Sequence, residues 1–204
     1  MSMIVSHDNK YIFYLVPKTG STTIRNLLRP LGTNVAVHIH DTPSPAYLAL
    51  TGYAFWRDPV ERFVSTYNFL RTYRTVLFKL FPEDFSGVVM PEPLDEESFN
   101  ALPQHLREKI NRQPVDLLER INRTNILGFK PQSAWFDHPN MNVLNYHDFE
   151  SEARRLIGIF GGDTAIDIPV ENEKPNFITD LVVTDDLRRG IEDLYRLDYR
   201  YDPC

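Results

Sequence analysis

The sequence predicts an α/β fold whose mainly parallel sheet is covered by helices on both faces. Three observations predict it. Residues 11–16 (YIFYLV) form a short β-branched and aromatic run that leads through a polar loop into a helical pattern. The same strand-to-helix order returns over residues 51–70 and again over residues 142–160. Strands that alternate with helices are joined by crossovers, and crossovers build parallel sheets buried on both sides. A chain of 204 residues fits a single domain, 1–204, with a real core.

Each element has a local cause. Residues 11–16 read as a buried strand from their apolar content. Ile24, Leu27, Leu28 and Leu31 recur at helical spacing, with Gly32 as a stop. Residues 51–56 (TGYAFW) repeat the strand pattern. Asp58 can cap the next helix, Pro59 suits its first position, and Glu61 can complete a capping box. Val60, Phe63, Val64, Tyr67 and Leu70 then make one apolar stripe, while Glu61, Ser65, Asn68 and Thr72 lie on another face. Residues 81–113 break this rhythm. Pro82, Pro91, Pro93 and Pro103 stand there among Glu83, Asp84, Glu92, Asp95, Glu96 and Glu97, which predicts an irregular excursion within the domain. Val115, Leu118 and Ile121 suggest a helix after it. Residues 142–146 read as a strand. Phe149, Ala153, Leu156, Ile157 and Phe160 mark a helix that Gly161 and Gly162 end. The last helix carries Leu187, Ile191, Leu194 and Tyr195, with Thr184 as its cap.

Composition narrows the function. With 42% hydrophobic and 25% charged residues, the chain is globular, not disordered. A net charge of -6 argues against a nucleic-acid partner but leaves room for a local basic pocket. No apolar run is long enough to span a membrane, and residues 1–10 are polar, so a cytoplasmic protein is expected. The one cysteine, Cys204, rules out an intrachain disulfide and a zinc site built on cysteines.

The richest segment is Pro17-Lys18-Thr19-Gly20-Ser21-Thr22-Thr23, set between strand and helix. There the first N–H groups of the helix can hold an anion. Lys18 adds a point charge, and the hydroxyls of Thr19, Ser21, Thr22 and Thr23 add donors. Gly20 lets the backbone approach a phosphate closely. The segment is not a Gly-x-x-x-x-Gly-Lys-[Ser/Thr] loop, because its lysine precedes its glycine and the loop is shorter. Taken alone, it is equally a Ser/Thr-rich helix cap with a solvated lysine. A second basic residue, Arg57, ends the second strand, where ligands bind in open α/β sheets. Its guanidinium matches phosphate oxygens in a bidentate way. Ser65, on the helix that follows, can donate to the same group. In isolation Arg57 would pair with Asp58 or Glu61, and Ser65 would be a surface residue.

Together the two segments carry a resemblance. "VPKTGSTT" (16–23) resembles the 5'-phosphosulfate loop of PAPS-dependent sulfotransferases. "RDPVERFVSTYNF" (57–69) resembles their 3'-phosphate motif, Arg-Asp-Pro-x-x-Arg-x-x-Ser. The order and the strand contexts agree, and "LYRLDYRYD" (194–202) is similar to the family's C-terminal Tyr-x-x-Asp-Tyr pattern. Within the family, the chain looks like the carbohydrate type, the heparan/uronyl 2-O-sulfotransferases above all. The resemblance implies a P-loop-like three-layer fold, PAPS as donor, PAP as product, and a hydroxyl acceptor on a small molecule or saccharide. It implies that Lys18 stabilises the leaving phosphate oxygen, and that Thr19, Gly20, Ser21, Thr22 and Thr23 hold the 5'-phosphosulfate. Arg57 and Ser65 would hold the 3'-phosphate. Gln132, in "KPQSAWF" (130–136), falls where relatives have a similar segment near the nucleotide.

A hydroxyl acceptor must lose its proton as it attacks, and histidine is the usual agent near neutral pH. His38 and His40 lie between the two motifs, and in a strand both would face one side. The 2-O-type relatives resemble this chain in carrying a His-x-His at this point. That implies His40 as base and His38 as its neighbour or an acceptor contact, with Asp41 able to orient a histidine. A structural histidine pair and a same-face zinc site are the other readings of this pair. No metal is expected for the chemistry, since the sulfuryl group carries less charge than a phosphoryl group. His105 and His138 have no motif around them and read as surface residues. Two rival functions remain: a nucleotide-dependent kinase with an atypical phosphate loop, and a non-catalytic nucleotide-binding module. The kinase needs a metal-binding carboxylate at a strand end, and no convincing one is present. The presence of Lys18, Arg57, Ser65 and His40 argues against a decayed module.

Overall fold

A computed structural model describes residues 3–8, 10–31, 47–136, 138–169 and 175–203. Among these residues four strands line up in chain order: β1 (Met3–Val5), β2 (Tyr11–Tyr14), β3 (Thr51–Trp56) and β4 (Met141–Asn145). The last three run parallel, and β1 folds back antiparallel on β2, with Met3 opposite Tyr14. Among the described residues the helices are α1 (Ser21–Leu28), α2 (Pro59–Leu70), α3 (Arg74–Leu80), α4 (Pro82–Phe85), α5 (Glu96–Ala101), α6 (Gln104–Asn111), α7 (Leu117–Asn122), α8 (Ser133–Phe136), α9 (Phe149–Ile159) and α10 (Asp185–Leu194). The expected α/β class with a mainly parallel sheet is what forms.

The chain divides into two compact units. The first comprises Met1–Pro59, Pro131–Asn172 and Tyr195–Cys204, and holds the sheet with α1, α8 and α9. The second comprises Val60–Lys130 and Glu173–Leu194. The sequence reads as one domain because each unit is assembled from separate stretches that alternate along the chain.

In the first unit, alternation sorts the strands. Ile4, Phe13, Tyr53, Phe55 and Leu144 face one side and pack with Ile24 and Leu28 of α1 and Ala153, Leu156 and Ile157 of α9. Their neighbours Ile12, Tyr14, Ala54 and Trp56 face the other way and are buried too. Burial on both faces is what a parallel sheet requires. Helix α9 ends as expected. Gly161 takes φ +84, and the Gly162 N–H donates to the Ile157 carbonyl at 2.9 Å, a left-handed stop that a side chain would strain.

The second unit departs from expectation most clearly over residues 81–113. The excursion is not irregular: it holds α4, α5 and α6. Pro82 is the first residue of α4 and Pro103 immediately precedes α6. At these positions a missing N–H costs the helix nothing. The acidic residues start helices as well: Asp95 caps α5 by accepting from the Ser98 N–H at 2.7 Å. Val115 belongs to no helix and is fully exposed, and Leu117 and Ile121 are the buried residues of α7. Thr184 does cap α10, accepting from the Leu187 N–H at 3.2 Å.

Two further expectations are corrected. β1 lies where residues 1–10 read as polar, because a three-residue edge strand is too short to show periodicity. His138 is buried, not a surface residue. Its Nδ1 accepts from the Asn140 N–H at 3.1 Å, its Nε2 faces the Tyr47 carbonyl at 3.2 Å, and its ring meets Tyr14 edge-on. His105 is exposed as expected.

Candidate functional site

Three parallel strands end side by side, and each end delivers a residue to one place. β2 runs into the loop of Lys18, β3 into Arg57, and β4 into Tyr146. Such carboxyl ends are where open α/β sheets bind ligands.

The loop after β2 is tightly wound. Lys18 has φ 65, a conformation uncommon for a residue with a side chain. Gly20 follows at φ +74 and immediately precedes α1. A Cβ on Gly20 would meet Phe149 Cε2 at 2.1 Å, so glycine is needed both for its backbone angle and for the ring beside it. Gly20 has no side chain with which to cap α1, and the first turn carries no acidic residue. The opening amides of α1 therefore point outward with no capping group from this position, which suits an anion.

The hydroxyls of the loop divide into two sets. Thr19 is fully buried and donates to the Val16 carbonyl at 3.0 Å, holding the loop's shape. Thr23 is buried and donates to the Pro169 carbonyl at 3.4 Å. Ser21 and Thr22 are half-buried at the start of α1. The last two are thus the hydroxyls placed to meet a ligand.

Arg57 is fixed on three sides. Its guanidinium donates to the Lys18 carbonyl at 3.3 Å and lies 4.5 Å from the centre of the Tyr146 ring. A stacked aromatic face contributes about 0.5–2 kcal/mol to holding a cation. Its peptide group is gripped by Gln132, whose Oε1 accepts from the Arg57 N–H at 3.0 Å and whose Nε2 donates to the Arg57 carbonyl at 2.8 Å. Gln132 is fully buried. It therefore stands behind Arg57, with both ends of its amide engaged by the Arg57 peptide.

The electrostatics favour an anion here. Burial, and then the neighbouring Arg57 charge, push the Lys18 ammonium down to about 8. Two cations held together destabilise each other, and an anion between them reverses the sign. Among the described residues, no three His, Cys, Asp or Glu side chains come together as a metal site. Nor is any described helix long and apolar enough to cross a membrane.

Ser65 lies half-buried in α2, within the second unit. The expectations for His38, His40 and Asp41 fall outside the described residues. Two residues of this site escape sequence reasoning. Tyr146 reads as the last residue of a strand, but the strand ends at Asn145, whose side chain accepts from the His147 N–H at 3.0 Å. Its signal is its place directly after β4. Asp198 sits inside the C-terminal Tyr-x-x-Asp-Tyr pattern, which marks the position without giving a reason for it.

A family model described as the sulfotransferase family matches residues 1–201. No curated protein and no solved structure matches the chain.

Proposed function

The chain belongs to the sulfotransferase family, and we propose that it moves a sulfuryl group from PAPS to a hydroxyl of a saccharide. The observation that carries the donor is the pair of cations, Lys18 and Arg57, at adjacent strand ends beside the start of α1. The residues fit a phosphosulfate group, since the cations and the opening amides of α1 meet without an acidic residue in the first turn. The saccharide rests on the resemblance of the two motifs to the 2-O type.

Bound PAPS supplies the sulfuryl group, which forms a bond to the acceptor oxygen as its bond to the 5'-phosphate oxygen breaks. Lys18 bears positive charge where the leaving phosphate oxygen gains negative charge, the electrostatic arrangement that usually contributes most to such transfers. The strained loop and the opening amides of α1 hold the 5' end, with Ser21 and Thr22 as hydroxyl donors. Arg57 receives the 3'-phosphate, and Ser65 joins it by resemblance. His40 takes the acceptor's proton, with His38 placing the acceptor. The kinase and the non-catalytic module are not favoured, because the family match covers nearly the whole chain.

The test compares PAP with AMP, which lacks the 3'-phosphate. Arg57→Ala is expected to weaken PAP by roughly 1.5–3 kcal/mol, the range for hydrogen bonds to charged groups, and to leave AMP nearly unchanged. Titration calorimetry reads both. Equal losses for the two nucleotides would remove Arg57 from the 3'-phosphate.

A further inference from the structure

Gln132 and Asp198 form a buried chain of hydrogen bonds that ends on Arg57. Gln132 lies 75 residues from Arg57 in sequence, yet its amide closes a two-bond ring with the Arg57 peptide. In the sheet, the β3–β4 pairing ends at Trp56 opposite Asn145. The next peptide after this ladder is that of Arg57, and the Gln132 side chain serves it as an added rung. That rung fixes the plane of the Arg57 peptide, from which the guanidinium extends.

Gln132 is itself held. Its backbone N–H donates to Asp198 Oδ2 at 2.8 Å, and the Ser133 N–H donates to Asp198 Oδ1 at 2.8 Å. Asp198 is fully buried, and one carboxylate thus satisfies two amides at the start of α8. Hydrogen bonds to an ionised acceptor are shorter and about twice as strong as neutral ones. A third contact ties the same residue to β3, since the Trp56 indole N–H donates to the Asp198 carbonyl at 3.0 Å. Both residues flanking the turn from strand to anion site, Trp56 and Arg57, are therefore referenced to the C-terminal segment.

We propose that Asp198, acting through Gln132, is a positioning residue that sets the Arg57 guanidinium for the 3'-phosphate. The C-terminal Tyr-x-x-Asp-Tyr pattern then has a physical role, because its aspartate fixes selectivity for the donor nucleotide from the far end of the chain. The inference rests on the reading of Arg57 as the 3'-phosphate ligand.

The readout is the ratio of the AMP and PAP dissociation constants, which isolates the 3'-phosphate. Gln132→Met keeps the side chain's bulk and removes both bonds to Arg57. Asp198→Asn keeps the shape and replaces one acceptor with a donor. Each is expected to lower the ratio by roughly tenfold, less than the 10²-fold that a 1 Å misplacement can cost. AMP affinity should stay near that of the parent. Added to Arg57→Ala, Gln132→Met should lower the ratio no further, because its effect passes through the guanidinium. A merely structural role would instead weaken both nucleotides together and leave the ratio intact, and that result in Gln132→Met overturns the proposal even if Asp198→Asn does not fold. The two readings fail differently. If Arg57→Ala leaves the ratio unchanged, the 3'-phosphate reading falls and takes this inference with it. If Arg57→Ala collapses the ratio while Gln132→Met and Asp198→Asn keep it, only the positioning role falls.

Discussion

Arg57 in the first unit and Arg71 in the second show two uses of the same side chain. Arg71 is almost wholly buried at the end of α2. Its guanidinium donates to the Ile110 carbonyl at 3.1 Å, to Asn68 Oδ1 at 2.7 Å and to the Thr179 carbonyl, and it lies 4.6 Å from the centre of the Tyr67 ring. Arg62, the second arginine of the motif after β3, is treated likewise, donating to the Gly128 and Lys130 carbonyls at 3.0 and 2.8 Å. Both donate to acceptors of their own unit, main-chain carbonyls above all. Arg57 is half-buried, its guanidinium donates to the Lys18 carbonyl and stacks on Tyr146, and Gln132 grips its peptide. Arg62 and Arg71 brace loops from the interior of the second unit, whereas Arg57 stands at a strand end beside Lys18, with Gln132 holding its peptide. The motif Arg-Asp-Pro-x-x-Arg-x-x-Ser thus contains one arginine of each kind.

The largest expected effect breaks the bracing arginine. Arg71→Met leaves buried acceptors on Ile110, Asn68 and Thr179 without this donor. A destabilisation of about 3–5 kcal/mol is expected, as when one partner of a buried polar group is removed. Urea unfolding measures it. Nucleotide affinity of the molecules that remain folded should match the parent. A large loss of PAP affinity with little loss of stability would place Arg71 with Arg57 and undo the contrast.

A smaller effect is expected at Gly20, where the anion site meets the core. Alanine there must adopt φ +74 and displace the Phe149 ring. That ring packs against Phe55 at 4.9 Å and Tyr146 at 5.3 Å between centres, and Tyr146 lies under Arg57. Gly20→Ala should cost about 1–3 kcal/mol of stability, from left-handed strain and overpacking. Unlike Arg71→Met, it should also weaken AMP and PAP together, since the loop and the ring beneath Arg57 both shift. Thermal melting with and without each nucleotide separates the two effects. Unchanged melting would show that the ring moves aside freely.

These contrasts also mark what the sequence makes visible. β3, the start of α2 at Pro59, α9 and the Thr184 cap rest on spacing within a few residues, and they are legible for that reason. Lys18 and Arg57 are legible because they follow strands and stand in recognisable motifs. Gln132 reads from its segment as a neighbour of the nucleotide, but its service to Arg57 spans 75 residues, and that of Asp198 to Gln132 spans 66. No local pattern encodes such a pairing. The prolines of residues 81–113 mislead for a different reason: proline stops a helix in its interior but starts one well, and composition does not separate the two positions.

The smallest expected effect sharpens the contrast between the cations of the candidate site and the bracing arginines through pH. The Lys18 ammonium is pushed down to about 8 by burial and by Arg57, while in the unfolded chain a lysine titrates near ~10.4. Below pH 8 both states hold the proton, and the folded protein bears the full penalty of the crowded charge. Between about pH 8 and ~10.4 the unfolded chain binds the proton that the folded chain has lost, so this group's contribution to stability rises with pH there. Bound PAP reverses the sign, because its phosphate charge favours the ammonium. PAP affinity should therefore fall severalfold as pH rises above about 8, and binding near that pH should take up a proton. Calorimetry in two buffers of different ionisation enthalpy measures the uptake, and Lys18→Met should abolish it. The same group should give kcat/KM a decline on the alkaline side, opposite an acid-side decline from the proposed base that His40→Ala should remove. Arg71 remains charged throughout this range and should contribute nothing to either limb. Proton uptake that persists in Lys18→Met would assign the titration to another group and separate Lys18 from the anion site.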